Sequence, residues 1–326
     1  MKKRKLINKF LFILIVGLFL IPLHLLAQLP NQAEGLTISP PLQEFEIQQS
    51  QSITKKIKVT NPIDKQVKVY PLAYDFTAKG ESGEPDFMPP SEERRSYSLA
   101  SWIKFSKDYL LLEPEEVEDF EYQISVPKDG EPGGHYGVVF FASEPPKLDK
   151  KEDSQVAISS MVGSLILAKV PGYIVENGQL ETFSAPWFSF KPPVDFVARV
   201  KNLGNIHFKP KGDIQIKNFF GKTVGQVETN SASGNILPET VRKFTPKWEP
   251  KKTLFSPIGR YKAELKLTYG ESKKELTGVL TFWIIPLWLI ILVTVLLICA
   301  ITWFIWKHKK KKNKSGKDQK VIDLRR

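Results

Sequence analysis

The sequence predicts an all-β ectodomain, two tandem β-sandwiches, followed by a single transmembrane α-helix. Three observations carry that prediction. An uncharged stretch, Phe282 to Trp306, stands near the end of the chain and runs into a block of lysines. From Leu36 to about Phe282, short runs alternate apolar and polar residues and are cut by Pro, Gly and Asn. The order of these runs, and of the residues that bound them, occurs twice.

The chain opens with Met1 to Lys9, which carries basic residues and no acid, followed by the almost entirely apolar Phe10 to Leu26 and the small Ala27. This is the layout of a secretory signal over residues 1–27, with cleavage after Ala27. An uncleaved signal-anchor is the alternative, and it too would place Gln28 onward outside the cell.

Strand patterning begins soon after. Phe120-Glu121-Tyr122-Gln123-Ile124-Ser125-Val126 alternates without a fault and ends at Pro127. Val194, Phe196, Ala198 and Val200 repeat the pattern, as do Tyr261, Ala263, Leu265, Leu267 and Tyr269. Side chains two apart share one face of a strand, so each run has one buried and one wet face. Asn177-Gly178 reads as a tight hairpin turn, and Tyr269-Gly270-Glu271-Ser272 as a turn joining the last two strands. With no amphipathic helix outside the apolar stretch, many short antiparallel strands point to sandwiches.

The repeat gives the domain boundaries. Val59-Thr60-Asn61-Pro62 ends one strand and Val200-Lys201-Asn202-Leu203 another. Gly134-His135-Tyr136-Gly137-Val138 parallels Gly259-Arg260-Tyr261-Lys262-Ala263, each after a Pro-containing turn. In immunoglobulin-like sandwiches a tyrosine near the start of the sixth strand locks a corner by bonding backbone through its hydroxyl, which assigns Tyr136 and Tyr261 as structural corner residues. The first copy is longer, with an excursion around Asp75 to Asp108 where Gly80-Glu81-Ser82-Gly83-Glu84-Pro85 and Pro89-Pro90 interrupt regular structure. Ser143 to Gln155 is a second, charged and solvated loop. The expected domains are residues 28–172 and 187–281, joined by a connector at 173–186.

The apolar stretch, 282–306, follows directly. At about 1.5 Å per helical residue it exceeds the ~30 Å hydrocarbon core of a bilayer. Trp283 and Trp288 near one end, and Trp303 and Trp306 near the other, fall where amphipathic rings favour the headgroup level. Lys307, Lys309, Lys310, Lys311 and Lys312 open a basic tail, residues 307–326, which marks the cytoplasmic side and suits anionic lipid. A core helix of this length would have a polar face, and this one has none. The chain is therefore expected in the cell membrane as a single-pass protein with the second sandwich beside the bilayer. The one cysteine, Cys299, lies inside the span, so the sandwiches hold no disulfide. It is either an acylation site or a small apolar packing residue.

The formal charge of +12 suggests nucleic acid until it is divided along the chain. The signal and tail hold the excess, and the region between them has 32 basic and 33 acidic residues. That balance does not support nucleic-acid binding, which needs its positive charge on the folded domain. Catalytic chemistry is equally thin. Between signal and span the only histidines are His135 and His207, in different expected domains and outside any nucleophile motif. With no cysteine beside them, no Cys/His metal site is expected. Glu92-Glu93 and Glu115-Glu116 are sequence neighbours whose side chains diverge, so they read as solvated charge. No phosphate loop or calcium-loop spacing is present. The chain is expected to be no enzyme and to carry no cofactor.

Binding residues are better sought in loops. Phe87-Met88-Pro89-Pro90 places apolar groups in the excursion, where exposed apolar patches mark contacts. Trp102, in Ser98-Leu99-Ala100-Ser101-Trp102-Ile103, is either a contact or a core residue. Phe87, Met88 and Trp102 are the candidate binding residues. Trp187, Phe188 and Phe190, between Pro186 and Pro192-Pro193, are expected to pack the joint between domains.

Several of these segments together resemble one family. Leu36-Thr37-Ile38-Ser39-Pro40-Pro41, Ile57-Lys58-Val59-Thr60-Asn61, Ser101-Trp102-Ile103, Ile124-Ser125-Val126-Pro127 and Pro132-Gly133-Gly134-His135-Tyr136-Gly137 are similar to the first domain of bacterial WxL-interacting surface proteins. Asn202-Leu203-Gly204-Asn205-Ile206-His207-Phe208-Lys209-Pro210 and Leu237-Pro238 resemble the second. The resemblance covers nearly the whole chain and implies a membrane-anchored receptor. Its first domain would associate with peptidoglycan, and its second with surface or host proteins, including those with a Trp-x-Leu motif. None of the seven tryptophans here has Leu two residues on, so this chain would be the receptor side. No binding residue of the family maps onto particular positions of this sequence.

The functional expectation is a non-enzymatic cell-surface protein that binds peptidoglycan and/or other surface proteins through extracellular immunoglobulin-like domains. The alternatives are a structural spacer in an envelope complex with no soluble ligand, or a wall hydrolase relying on Asp or Glu.

Overall fold

The computed structural model describes residues 35–89, 96–143, 161–250 and 257–323, with side chains described as far as residue 308. The expected signal at 1–27, the charged loop beyond Ser143 and the side chains of Lys309, Lys310, Lys311 and Lys312 lie outside the described residues.

Among the described residues the first sandwich holds ten strands. They are β1 (Thr37–Ser39), β2 (Leu42–Glu46), β3 (Ser52–Thr60), β4 (Val67–Lys79), β5 (Glu84–Met88), β6 (Ile103–Phe105), β7 (Leu110–Leu112), β8 (Val117–Ser125), β9 (Gly133–Ala142) and β10 (Met161–Val170). One sheet runs β1-β3-β8-β6 and the other β2-β10-β9-β4-β5, with β7 also paired to β4. The alternation that marked Phe120, Tyr122 and Ile124 puts all three inward, against Val69, Val139, Phe141, Ile166 and Ala168 of the facing sheet. Each such side chain contributes roughly 1.5–3 kcal/mol when fully buried. Strand β9 is buried on both faces along its whole length. Val139 and Phe141 face this core, while Tyr136 joins Phe76, Leu167 and, from the second sandwich, Leu237 in a separate cluster.

The second sandwich has strands β11 (Gly178–Ser184), β12 (Phe188–Ser189), β13 (Val194–Asp195), β14 (Val197–Asn202), β15 (Lys211–Asn218), β16 (Thr223–Glu228), β17 (Val241–Phe244), β18 (Lys247–Trp248), β19 (Gly259–Tyr269) and β20 (Lys274–Ile284). Its main sheets run β11-β14-β17 and β12-β20-β19-β15-β16. Val194, Phe196, Ala198 and Val200 pack against Tyr261, Ala263, Leu265, Leu267 and Tyr269 as their alternation requires.

The repeated asparagines explain how each chain leaves its strand. Asn61 is fully buried, its amide donating to Lys65 O at 2.8 Å, Leu112 O at 3.1 Å and Glu113 O at 2.9 Å. Its Oδ1 accepts from Ile63 N at 3.1 Å. Asn202 does the same work, donating to Ile206 O at 2.8 Å and Ile236 O at 2.9 Å and accepting from Gly204 N at 2.9 Å. A buried strand exit leaves backbone carbonyls short of partners, and one amide serves several of them.

Five expectations change. The segment Gly80 to Pro85 forms a hairpin: β4 continues to Lys79, and Glu84–Met88 pairs back onto Asp75–Lys79, so Phe87 stands on a strand. The connector 173–186 contains β11, which pairs with β14. Asn177-Gly178 is thus no hairpin turn. A Cβ on Gly178 would lie 2.9 Å from the Phe208 ring and 3.0 Å from that of Tyr269, so the glycine serves close packing. Trp187, Phe188 and Phe190 lie away from the joint between sandwiches, because Phe188 pairs in parallel with Trp283 at the far end of β20. Finally, Phe282 and Trp283 belong to β20: Phe282 and Ile284 are buried in the second core, and only Trp283 between them faces out. An inward-facing strand end and a membrane span are both apolar, and the sequence ran them together.

Pro286 separates that strand from helix α1 (Leu287–Asp323). Leu287–His308 is long and apolar enough to cross a membrane, with a mean hydropathy of 2.8. It includes Trp288, Trp303 and Trp306, and its Thr294 and Thr302 hydroxyls bond the helix's own carbonyls, at Ile290 and Cys299. The Lys307 ammonium sits 4.9 Å from the Trp303 ring centroid. Instead of ending at the lysines, the helix continues through them, lysine being a good helix former.

Replacing Asn202 by Ala would leave the Ile206 carbonyl and the Gly204 amide without these partners and the Ile236 carbonyl with only the bond from Phe208 N. The expected loss of unfolding free energy is about 2–4 kcal/mol, measured by urea denaturation, with Asn61→Ala losing a similar amount. A loss near zero in both would mean that water replaces these bonds freely.

Candidate interaction surface at the junction of the sandwiches

The two sandwiches are joined by a continuous set of hydrogen bonds. Tyr136, on β9, is almost fully buried, and its hydroxyl leaves its own domain. The hydroxyl accepts from the backbone N of His207 at 2.9 Å and lies 3.2 Å from His207 Nδ1, to which it donates when that nitrogen is unprotonated. Tyr136 thus makes the backbone bond expected of a corner tyrosine, but across the joint. In the second sandwich the tyrosine that bonds backbone is Tyr269, accepting from Gly178 N at 2.8 Å. Tyr261 packs its ring on Trp248 and Phe282.

Around this pair, Gly134 N donates to Asn205 O at 2.8 Å. The Asn205 side chain accepts from Val175 N at 2.7 Å and donates to Tyr173 O at 2.8 Å. Gly133 has φ +135°, and a Cβ there would lie 2.6 Å from Asn205 O, so both conformation and clearance require glycine. At one side the hairpin between β4 and β5 reaches over: Glu81 takes a paired contact from Arg199, and Glu81 O accepts from Lys243 N at 2.9 Å. At the other, Glu44 meets Lys209 at 2.8 Å and Asn235 at 2.9 Å, and Lys169 meets Glu271 at 2.7 Å.

The joint forms a cavity of about 260 Å³, open to solvent on one side and lined by Asp75, Phe76, Thr77, Met88, Tyr97, Ser98, Tyr136, Leu237 and Pro238. Its walls are mostly apolar. Asp75 is already occupied, its carboxylate accepting from Ser98 Oγ at 2.7 Å and from Leu99 N and Ala100 N at 2.8 Å. Of the sequence candidates, Met88 lines this cavity. Phe87 is partly exposed beside it, with ring contacts to Phe140 at 4.8 Å and Phe76 at 6.4 Å. Trp102 stands apart, packed against the first core with its ring 4.3 Å from that of His135. It borders a small polar cleft with Ser96, Ser98, Ser101, Asp129, Gly130 and Glu131. His135 is clamped between Ser98 O at 3.0 Å and Glu131 O at 2.8 Å. Sequence reasoning missed Tyr97, Thr77 and Leu237; only Leu237-Pro238 carried a signal, as part of a family-like segment.

Among the described residues, no group of three or more His, Cys, Asp or Glu could hold a metal ion. Burial pushes the His207 imidazole down to about 4 from an ordinary 6.5. Burial alone would raise the Glu44 carboxyl, but the bonds from Lys209 and Asn235 and the lysine charge outweigh it and hold it below its usual range. The hydrogen bond from Arg199 likewise holds Glu81 low.

No protein-family model matches the sequence, and no curated protein matches it. Among solved structures, it is similar to the class 5 fimbriae chaperone CfaA at 12% identity, covering 76% of this chain and 99% of that one, with a TM-score of 0.38. The chaperone DraB of E. coli is 11% identical over 76% of this chain and 96% of its own, with a TM-score of 0.34. A Porphyromonas gingivalis W83 protein of unknown function is 9% identical over 76% and 99%, at 0.27. Scores this low leave the fold description to the strand pairing itself.

Tyr136→Phe removes the hydroxyl and leaves the His207 amide unpartnered at the joint. It should lower unfolding free energy by about 1–2 kcal/mol, more than Arg199→Gln, whose ion pair is screened by solvent. Equal losses would move the weight of the joint to the charged pairs.

Acid should weaken the same joint. The unfolded chain takes up a proton on His207 near pH 6.5 and the folded chain only near 4, so stability is full above 6.5 and falls through that window. The loss is at most about 3 kcal/mol, and the low Glu44 and Glu81 carboxyls extend it further into acid. Urea midpoints at pH 7.5 and 4.5 test this: His207→Asn should flatten part of the slope, and a flat wild-type profile would contradict a buried neutral imidazole.

Proposed function

We propose that this chain is a non-enzymatic, single-pass cell-surface protein whose two locked sandwiches bind another protein of the cell envelope at their junction. The observation that carries this is the mostly apolar cavity beside the partly exposed Phe87, walled by both sandwiches. A cavity of this kind suits an apolar side chain of a protein partner better than a hydroxyl-rich glycan. Strand β5 ends its sheet order, so an extended segment laid beside it would bring such a side chain to the cavity. Helix α1 serves as the anchor, with the sandwiches outside and the lysines of the tail inside. This agrees with the surface-protein resemblance of the sequence.

Peptidoglycan binding is a second reading, favoured by the polar cleft at Trp102, where an indole edge stands beside hydroxyls and carboxylates. Such a site suits a sugar ring. The two readings separate by place: one at Thr77, Met88 and Phe87, the other at Ser101 and Trp102.

A photo-crosslinking residue at position 87 in cells should capture a discrete protein adduct, whereas one at the exposed Thr54 should not. Thr77→Trp, which fills the cavity, should remove the adduct while leaving the thermal midpoint unchanged. If the adduct is absent but the full chain pellets with insoluble peptidoglycan, and Ser101→Arg abolishes pelleting, the glycan reading takes over. Loss of both leaves a spacer.

A further inference from the structure

The end of the second sandwich nearest α1 carries aromatic side chains that the fold does not use. In the β15–β16 hairpin, Phe219 is 74% and Phe220 88% exposed. Their rings touch each other, with centroids 5.6 Å apart. The turn is built to display them. Asn218 Oδ1 accepts from Phe220 N at 3.1 Å and Lys222 N at 3.0 Å, and Gly221 N closes the turn onto Asn218 O at 2.9 Å. Side chains with no structural duty, held out on a rigid turn, mark a contact surface.

Register places this tip level with the start of the helix. Asn218 pairs with Tyr261, Tyr261 with Phe282, and Gly259 with Ile284. The residues after Asn218 therefore lie level with Trp283 and Ile284, two strand spacings away across β19, and only Ile285 and Pro286 separate Ile284 from Leu287. At about 3.3 Å per residue, the three steps from Ile284 to Leu287 span at most roughly 10 Å. On the other side of β20, Phe188 pairs with Trp283, and Trp283 N donates to Trp187 O at 2.9 Å. Trp187 is 77% exposed, and Phe190 and Trp283 are also partly exposed. The exposed cations Lys191, Lys222 and Arg260 flank them. Two nearby acids are paired, Glu264 with Lys217 and Lys262 and Asp195 with Lys247, which leaves the exposed Glu249 beside Trp248 as the acid among the cations. The opposite end of the same sheet turns through the polar Glu271-Ser272-Lys273.

We propose that this end of the second sandwich rests on the bilayer, with Phe219, Phe220, Trp187 and Phe190 entering the headgroup region and the flanking cations meeting anionic lipid. Amphipathic and aromatic rings favour that depth, and basic residues reinforce it. The anchor then has two parts, a span and a seated domain end, which restricts the tilt of both sandwiches. This rests on reading α1 as a span.

The test uses the full chain in proteoliposomes containing anionic lipid. A nitroxide is placed on Lys222→Cys or Ser272→Cys in a Cys299→Ala background, or on native Cys299 as the depth reference. The ratio of oxygen to aqueous-nickel accessibility should be several-fold higher at 222 than at 272. In Phe219→Ser/Phe220→Ser it should fall to the Ser272 value, while the thermal midpoint stays unchanged. Equal ratios at 222 and 272, with Cys299 deep in lipid, would overturn the seated end and leave the tip to a protein partner. A water-accessible Cys299 would instead overturn the span reading itself.

Discussion

The structure depends most on one hydroxyl. Tyr136 belongs to the first sandwich by sequence and by strand, but its phenolic oxygen is given to the backbone of His207 in the second. Burying it within its own domain would leave a polar atom to be satisfied there; placing it at the joint makes the joint the satisfaction. The consequence is that two domains with separate cores share one polar centre, and Leu237 is drawn into the cluster of Phe76, Tyr136 and Leu167 behind it. The cavity is the space left where that cluster stops.

The weaker contacts depend on this centre for their geometry. Glu81 with Arg199 and Glu44 with Lys209 lie toward opposite sides of the joint, half-exposed and screened. Alone, such pairs contribute little. They stand to either side of the tyrosine and of the close approach of Gly133 to Asn205, and so add contacts between the sandwiches away from that centre.

Much of the fold was legible because alternation has a direct physical cause: Phe120, Tyr122 and Ile124 face inward since a strand has two sides and only one is dry. The repeated asparagines were legible as a pattern, though not as the multiple-acceptor clamps they are. What the sequence concealed has a common reason. Phe282 reads as membrane, Asn177-Gly178 as a turn and Tyr136 as a local corner, because each was judged by its neighbours in the chain. Their roles are set by partners far away in sequence: the second core for Phe282, the rings of Phe208 and Tyr269 for Gly178, and His207 for Tyr136. The candidate site was less legible still. Met88 and Phe87 stood out as apolar residues near prolines, but Thr77, Tyr97 and Leu237 carry no local signature of a cavity that exists only once two domains meet.

Anchorage and rigidity bear on each other. A single span allows a domain to swivel and tilt, so a binding site above it samples many orientations and a partner must wait for the correct one. A locked joint removes freedom between the sandwiches, and contact of the Phe219–Phe220 end with lipid would remove freedom at the base. Only when both are restricted does the junction cavity hold a fixed height and bearing above the membrane. On the proposed function, a partner itself fixed in the envelope would then meet it with less orientational entropy to lose. Under that proposal the exposed aromatics at one end, and the buried tyrosine at the other, would serve a single physical purpose.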